Sequence, residues 1–168
     1  MIEELFAAAR TGDAGQLQRL LGAEPAQANA ENADGLTLLG FAAHFGHAQA
    51  VSILLVHGAD VNAISHSKAS YIPSNTALHA AIAGERSMDV IRLLLENGAD
   101  PNIIDSNGHT CLHVAAYHDD NREMIELLIE HDADVNAKPS GGTSALRVAM
   151  QQGNAQAAET LRRHGAIE

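Results

Sequence analysis

The chain has 168 residues, 46% of them apolar but only 3% aromatic and none of them Trp, so any core must be built from Ala, Leu, Ile and Val. That palette suits close packing of short helices better than a sandwich or a barrel. The formal net charge of −11 excludes the phosphate-reading surfaces that bind nucleic acid, and equally excludes attraction to an anionic membrane surface. The acid is uneven: residues 85–134 hold twelve Asp and Glu against three Arg.

The chain starts MIEELFAAARTGD, with acids near the front and no long apolar core, so this is not a signal peptide. No stretch approaches the roughly 18 apolar residues that a membrane span needs. The single cysteine, Cys111, excludes an internal disulfide and fits a reducing compartment, so a cytoplasmic location is expected.

In chain order, ELFAAARTGDAGQLQRLLGAEP is a worn copy of a unit repeated four more times. Its Ala8-Ala9 and Leu20-Leu21 align with LTLLGFAAHFGHAQAVSILLVHGADVNA (36–63), NTALHAAIAGERSMDVIRLLLENGADPNI (75–103), HTCLHVAAYHDDNREMIELLIEHDADVNA (109–137) and TSALRVAMQQGNAQAAETLRRHGAIE (143–168). The Thr or Ser opening each later copy falls at Thr37, Thr76, Thr110 and Ser144, spacings of 39, 34 and 34. Each copy splits into two short helical patterns. The first carries small residues such as Ala115 and Ala116, which let backbones approach closely. The second carries Val51, Leu54 and Leu55, or Ile125, Leu128 and Ile129. Gly58, Gly98 and Gly165 are placed to end the second helices in the left-handed conformation, with Asp132 substituting in the fourth copy. Neither helix buries its apolar face alone, so the copies must stack.

TALHAAIAG and TCLHVAAYH resemble the ankyrin-repeat T-P-L-H-x-A pattern, whose period is about 33 residues. GADVNA, GADPNI and DADVNA resemble the turn and strand that follow the family's second helix. The likeness covers about five repeats and nearly the whole chain. Departures are Leu38, Ala77, Cys111 and Ala145 in place of Pro, Gly40 and Arg147 in place of His, and an extra residue between the helices near Gly84–Ser87 and His118–Asn121. The resemblance implies an all-α fold, an ankyrin-repeat solenoid of stacked helix-turn-helix units joined by β-hairpin-like fingers. It forms a single domain with a capping repeat at 1–31, repeats at 32–64, 65–104 and 105–138, and a second cap at 139–168. The worn outer repeats and the start at Met1 suggest a complete small protein, expected to be a monomer.

Ten histidines raise a metal site, with His44 and His47, or His109, His113 and His118, as the residue types zinc prefers. His79 and His113, however, fill the T-x-L-H slot, where the family's histidine bridges neighbouring repeats, and His47 fills another scaffold position. No nucleophile stands in a recognisable base-and-orienter arrangement, and SGG at 140–142 is a turn rather than a phosphate cradle. No cofactor, metal or catalytic residue is assigned.

The resemblance implies binding of another protein through finger tips and the exposed side of the first helices, which together line a concave groove. Carried over residue by residue, the slots give Asp34 and Leu36 with Ala33, then His44 and Phe45. The next unit offers Tyr71, Ile72 and Asn75, with Pro73 and Ala83. Ser106, Asn107, His109, Tyr117 and His118 come next, then Gln151 and Gln152 beside Ser140. The expected partner is a protein, one with basic loops being steered by the acidic stretch. The alternatives are a regulatory or structural subunit of a larger assembly, or a metal-dependent enzyme or metal-binding protein.

One stretch breaks the period. In SHSKASYIPSN (65–75) six residues, Ser65 to Ser70, are read as an insertion at a finger tip, with Tyr71 taking the slot that opens the next unit. Such a loop costs little to lengthen. Its place on the groove's rim makes recognition its expected role.

Overall fold

The computed structural model describes residues 1–168 and contains ten α-helices in five antiparallel pairs, none longer than ten residues. Two compact units divide them: Met1–Ala99 and Asp100–Glu168. The first unit holds α1 (Ile2–Thr11), α2 (Ala14–Ala23), α3 (Leu38–His44), α4 (Ala48–Val56), α5 (Ala77–Ala83) and α6 (Met88–Glu96). The second holds α7 (Cys111–His118), α8 (Arg122–Glu130), α9 (Ala145–Gln152) and α10 (Ala155–Arg163). No helix is long and apolar enough to cross a membrane.

Short helices of this kind are marginal alone, so their ends and faces must be satisfied by neighbours. At the front of the first helices, Thr37, Thr76 and Ser144 accept the backbone N–H of Gly40, His79 and Arg147. A cap of this kind contributes about 1 kcal/mol. Four of the five second helices are closed by left-handed residues, Gly58, Gly98 and Gly165 at φ 86°, 88° and 89°, and Asp132 at φ 66°.

Within the first unit, α1, α3 and α5 form one layer and α2, α4 and α6 the other, each helix packing on its neighbour in the row. The second unit repeats this with α7 against α9 and α8 against α10. Leu5, Leu17, Leu21, Leu38, Leu54, Leu78, Ile82, Ile91 and Leu94 are sealed from solvent in the first core, and Leu112, Met124, Ile125, Leu128 and Leu161 in the second. Each such side chain contributes about 1.5–3 kcal/mol. Alanines fill the closest approaches between first helices, Ala42, Ala43, Ala77 and Ala81 in one unit and Ala115, Ala116, Ala145 and Ala149 in the other.

The fingers are turns rather than strands. The only bridge pairing in the chain joins Glu31 and Thr37. The expected strand after each second helix is replaced by an asparagine. Asn29 donates to the Gly58 carbonyl at 2.9 Å and accepts from Asp60 N–H at 2.8 Å. Asn62 donates to Gly98 O at 3.0 Å. Asn102 does both for Asp132 O and Asp134 N, and Asn136 for Gly165 O and Ile167 N. In each case the amide reads the left-handed carbonyl that ends the next repeat's second helix, where no helical partner remains.

Candidate interaction surface

Two fingers show what a turn needs here. In the finger at 32–36, Asn32 N donates to Leu36 O at 3.0 Å, while its side-chain oxygen accepts from the N–H groups of Asp34 and Leu36. In the finger at 105–109, Asp105 repeats every one of these bonds with Asn107 and His109. A short side chain with an acceptor must therefore open the finger, and its fifth residue must close it.

Between them, the insertion obeys the same rule with a different residue from the one expected. Ser65, only 3% exposed, donates its N–H to Asn75 O at 2.9 Å and accepts Asn75 N–H on its hydroxyl at 3.0 Å. Ser65, not Tyr71, therefore takes the opening slot. Its closing partner lies ten residues on instead of four, so the six extra residues sit inside 66–74, at the tip. Tyr71, which has no acceptor short enough for the slot, projects outward and is 84% exposed.

The tip is strapped down. His66 N donates to Gly35 O at 2.8 Å, Lys68 N to Asp34 O at 2.9 Å, and Lys68 Nζ to Ala33 O at 3.0 Å. Three successive carbonyls of the preceding finger are thereby used. Ser67 N is held by Ser74 Oγ, and His66 Nδ1 lies 2.7 Å from Glu31 Oε1. Gly35, at φ 75°, is buried beneath this strap, and a Cβ there would collide with the His66 carbonyl. Of the expected contact residues in this unit, Asp34 is exposed, while Leu36, Ile72 and Asn75 are half-buried.

On α3, His44 is exposed, and its carbonyl accepts Glu85 N–H at 2.9 Å. Phe45 is half-buried, the last of a row of three edge-to-face rings, Phe6–Phe41–Phe45, with centroids 5.2 and 5.1 Å apart. Part of its surface is therefore committed to Phe41, the ring through which α3 meets Phe6 of α1.

In the second unit, Ser106, Asn107 and His109 are exposed on their finger. Tyr117 is 55% exposed and meets the exposed His118 edge-on at 5.1 Å. Gln151 and Gln152 are exposed at the end of α9. Beside α8, Asp119, Asp120, Glu123 and Glu126 border an open depression with Arg122 and Gln156, in which Arg122 pairs with Glu126 at 2.8 Å.

The histidines divide by environment. His113 is 3% exposed; its Nδ1 accepts from Thr110 N–H at 3.3 Å and meets Thr110 Oγ1 at 2.8 Å, and its Nε2 donates to Thr143 O at 2.7 Å. His109 stacks on it with centroids 6.0 Å apart. Burial lowers the titration of His113 below that of an ordinary imidazole, and His109 adds to this; the Thr143 hydrogen bond and Asp105 oppose it. His47 Nε2 bonds the Arg10 carbonyl at 2.9 Å, closing the end of α1. No three His, Cys, Asp or Glu side chains gather closely enough to hold a metal ion. Cys111 is sealed, and burial, with Asp105 and Asp100 nearby, pushes its thiol well above the usual range, away from the reactive thiolate.

Besides the bridging asparagines, sequence reasoning passed over the reciprocal capping between the last two helix pairs. Asn154 Nδ2 donates to Ala116 O at 2.8 Å at the end of α7, while Asp120 Oδ1 accepts Ala157 N–H at 2.8 Å at the start of α10. Only the correspondence of Asn154 with His47 in the repeat could have signalled the first half of it.

A family model described as ankyrin repeats in three copies matches residues 5–105 and again 85–167. A search of curated proteins finds no match. With the stacked helix pairs, the turn-and-asparagine connections and a match across nearly its whole length, the chain belongs to the ankyrin-repeat family.

Proposed function

We propose that this chain is a non-catalytic adaptor or inhibitor-like scaffold that captures another protein with its finger tips and the exposed ends of its first helices. Ankyrin repeats are protein–protein interaction modules and are typically non-catalytic. The observation that carries the finer reading is the use made of tyrosine. The chain has two, and both stand in solvent, Tyr71 at 84% and Tyr117 at 55% exposure, at positions the packing does not require. Rigid aromatics give contact area at little entropic cost and are enriched where binding energy concentrates.

Asp34, Leu36, Ile72 and Asn75 flank the first tyrosine in sequence or across the fingers. Ser106, Asn107, His109, His118, Gln151 and Gln152 are the corresponding set in the second unit. His44 and Phe45 belong with the first set, Phe45 through the face its packing leaves uncovered. A monomer in a reducing cytoplasm, binding a partner with a basic contact surface, fits the lone sealed cysteine and the acidic balance.

The test is affinity capture with the intact chain, then titration of the recovered partner against variants. Tyr71→Ala and Tyr117→Ala should each weaken binding about tenfold or more, a loss of about 1.4 kcal/mol or above, with the melting temperature unchanged. Deleting residues 66–71 restores the four-residue spacing of Ser65 and its partner, so the finger should still close. Unaltered affinity in all three variants would overturn the assignment of the surface.

A further inference from the structure

The contact between the helix pairs α7–α8 and α9–α10 runs through an imidazole that is wired for one protonation state. His113 Nδ1 faces two groups of Thr110, and the backbone N–H among them can only donate. That nitrogen must therefore accept, and the ring's single proton sits on Nε2, where it bonds Thr143 O in the segment leading into α9. A second proton on Nδ1 would set donor against donor at the Thr110 N–H and place a cation in a site only 3% exposed. We propose that this junction is an acid-sensitive latch, closed while His113 is neutral and loosened when Nδ1 takes up a proton.

The charged groups around the ring are few. The finger contributes Asp105, which favours the cation, and His109, stacked at 6.0 Å, which disfavours it once protonated. Helix α9 carries only Arg147, which is exposed. The charges of α8, Arg122, Glu123, Glu126 and Glu130, are exposed or half-exposed. The balance lowers the titration, burial being the largest cause. The stability conferred by the neutral ring is therefore complete above the ordinary imidazole value of about 6.5 and is lost as pH falls through the lowered one. Opening at the α9 side returns the ring to water, so the open form gains the proton first.

Other ties across this junction, among them Asn154 to Ala116 O, Asp120 to Ala157 N, and Asn136 to both Gly165 O and Ile167 N, do not involve imidazoles. The latch thus weakens the junction without dissolving it. Loosening would uncover Leu112 and Leu128, which are sealed in this unit's core.

Hydrogen exchange on the full chain from pH 7.5 to 5, with rates normalised for intrinsic exchange, tests this. Protection of the α9 and α10 amides should fall by up to about tenfold per pH unit below 6.5, the limit for one linked proton, while α1 and α2 keep theirs. His113→Gln keeps a donor for Thr143 O and removes the titration, so its protection should be flat with pH. His109→Gln should retain the fall. The proposal is overturned by flat protection in the wild type, by an equal fall in α1 and α2, or by a fall that persists in His113→Gln. Should His113→Gln not fold, the ring resonances of wild-type His113 decide. Titration below the ordinary range together with loss of α9 protection supports the latch, and titration at the ordinary value overturns it.

Discussion

Asp132 is the residue where the repeat pattern and backbone sterics disagree. The second helices of three other repeats end in glycine at φ 86° to 89°, and Asp132 takes the same turn at φ 66° with a Cβ to accommodate. An L-residue in this region costs about 1 kcal/mol, somewhat less for Asp, whose short side chain bonds locally. Asp132→Gly should raise the stability of the second unit by about 0.5–1 kcal/mol, read as a higher urea midpoint with unchanged slope. It leaves intact the carbonyl that Asn102 reads. Removing the reader is the converse experiment. Asn102→Ala abandons Asp132 O and Asp134 N–H together and should cost about 1–3 kcal/mol. The left-handed positions were legible because glycine recurs where only glycine is comfortable. The asparagine's task was not, because Asp-x-Asn recurs identically whether the amide points to solvent or to the next repeat.

At the scale of the element, the finger is the informative unit. The opening slot accepts Asn32, Asp105 or Ser65, three side chains alike only in offering a short acceptor. Alignment of letters could therefore count six extra residues but could not say on which side of Ser65 they began. What the hydrogen bonds add is that the lengthened finger is strapped to its predecessor across Ala33, Asp34 and Gly35. Gly35→Ala meets both a left-handed backbone and the His66 carbonyl. It should cost about 1–3 kcal/mol and abolish amide protection at His66 and Lys68, whereas Tyr71→Ala should leave that protection unchanged. Loss of protection in Tyr71→Ala would mean that the ring anchors the tip rather than being presented by it. Phe45 illustrates the opposite limit of sequence reading. Its slot marks it as free, but Phe41 of α3, itself edge-on to Phe6 of α1, meets it edge-to-face and draws it partly into the packing. Phe45→Ala is therefore expected to lower stability by about 1–3 kcal/mol, and Tyr117→Ala to change it by less than about 0.5.

For the molecule as a whole, the decisive quantity is charge. Lys and Arg number 10 against 21 Asp and Glu, and the pairs Arg122–Glu126, Arg162–Glu168 and Arg163–Glu159 lie at the surface, so they neutralise little of the field at a distance. Each unit carries its own excess of acid, so the field does not depend on the arrangement of one unit against the other. A basic partner would approach down this field before any tyrosine touches it. Association with such a partner should therefore be raised about tenfold or more at low ionic strength and should slow steeply as the Debye length contracts from about 30 Å at 0.01 M salt to about 8 Å at 0.15 M. Dissociation, set by short-range contacts such as those of Tyr71 and Tyr117, should change far less. Stopped-flow or biosensor rates across that salt range separate the two. An on-rate indifferent to salt would show that the partner is not basic, and would leave the exposed aromatics, rather than the acidic field, as the basis of recognition.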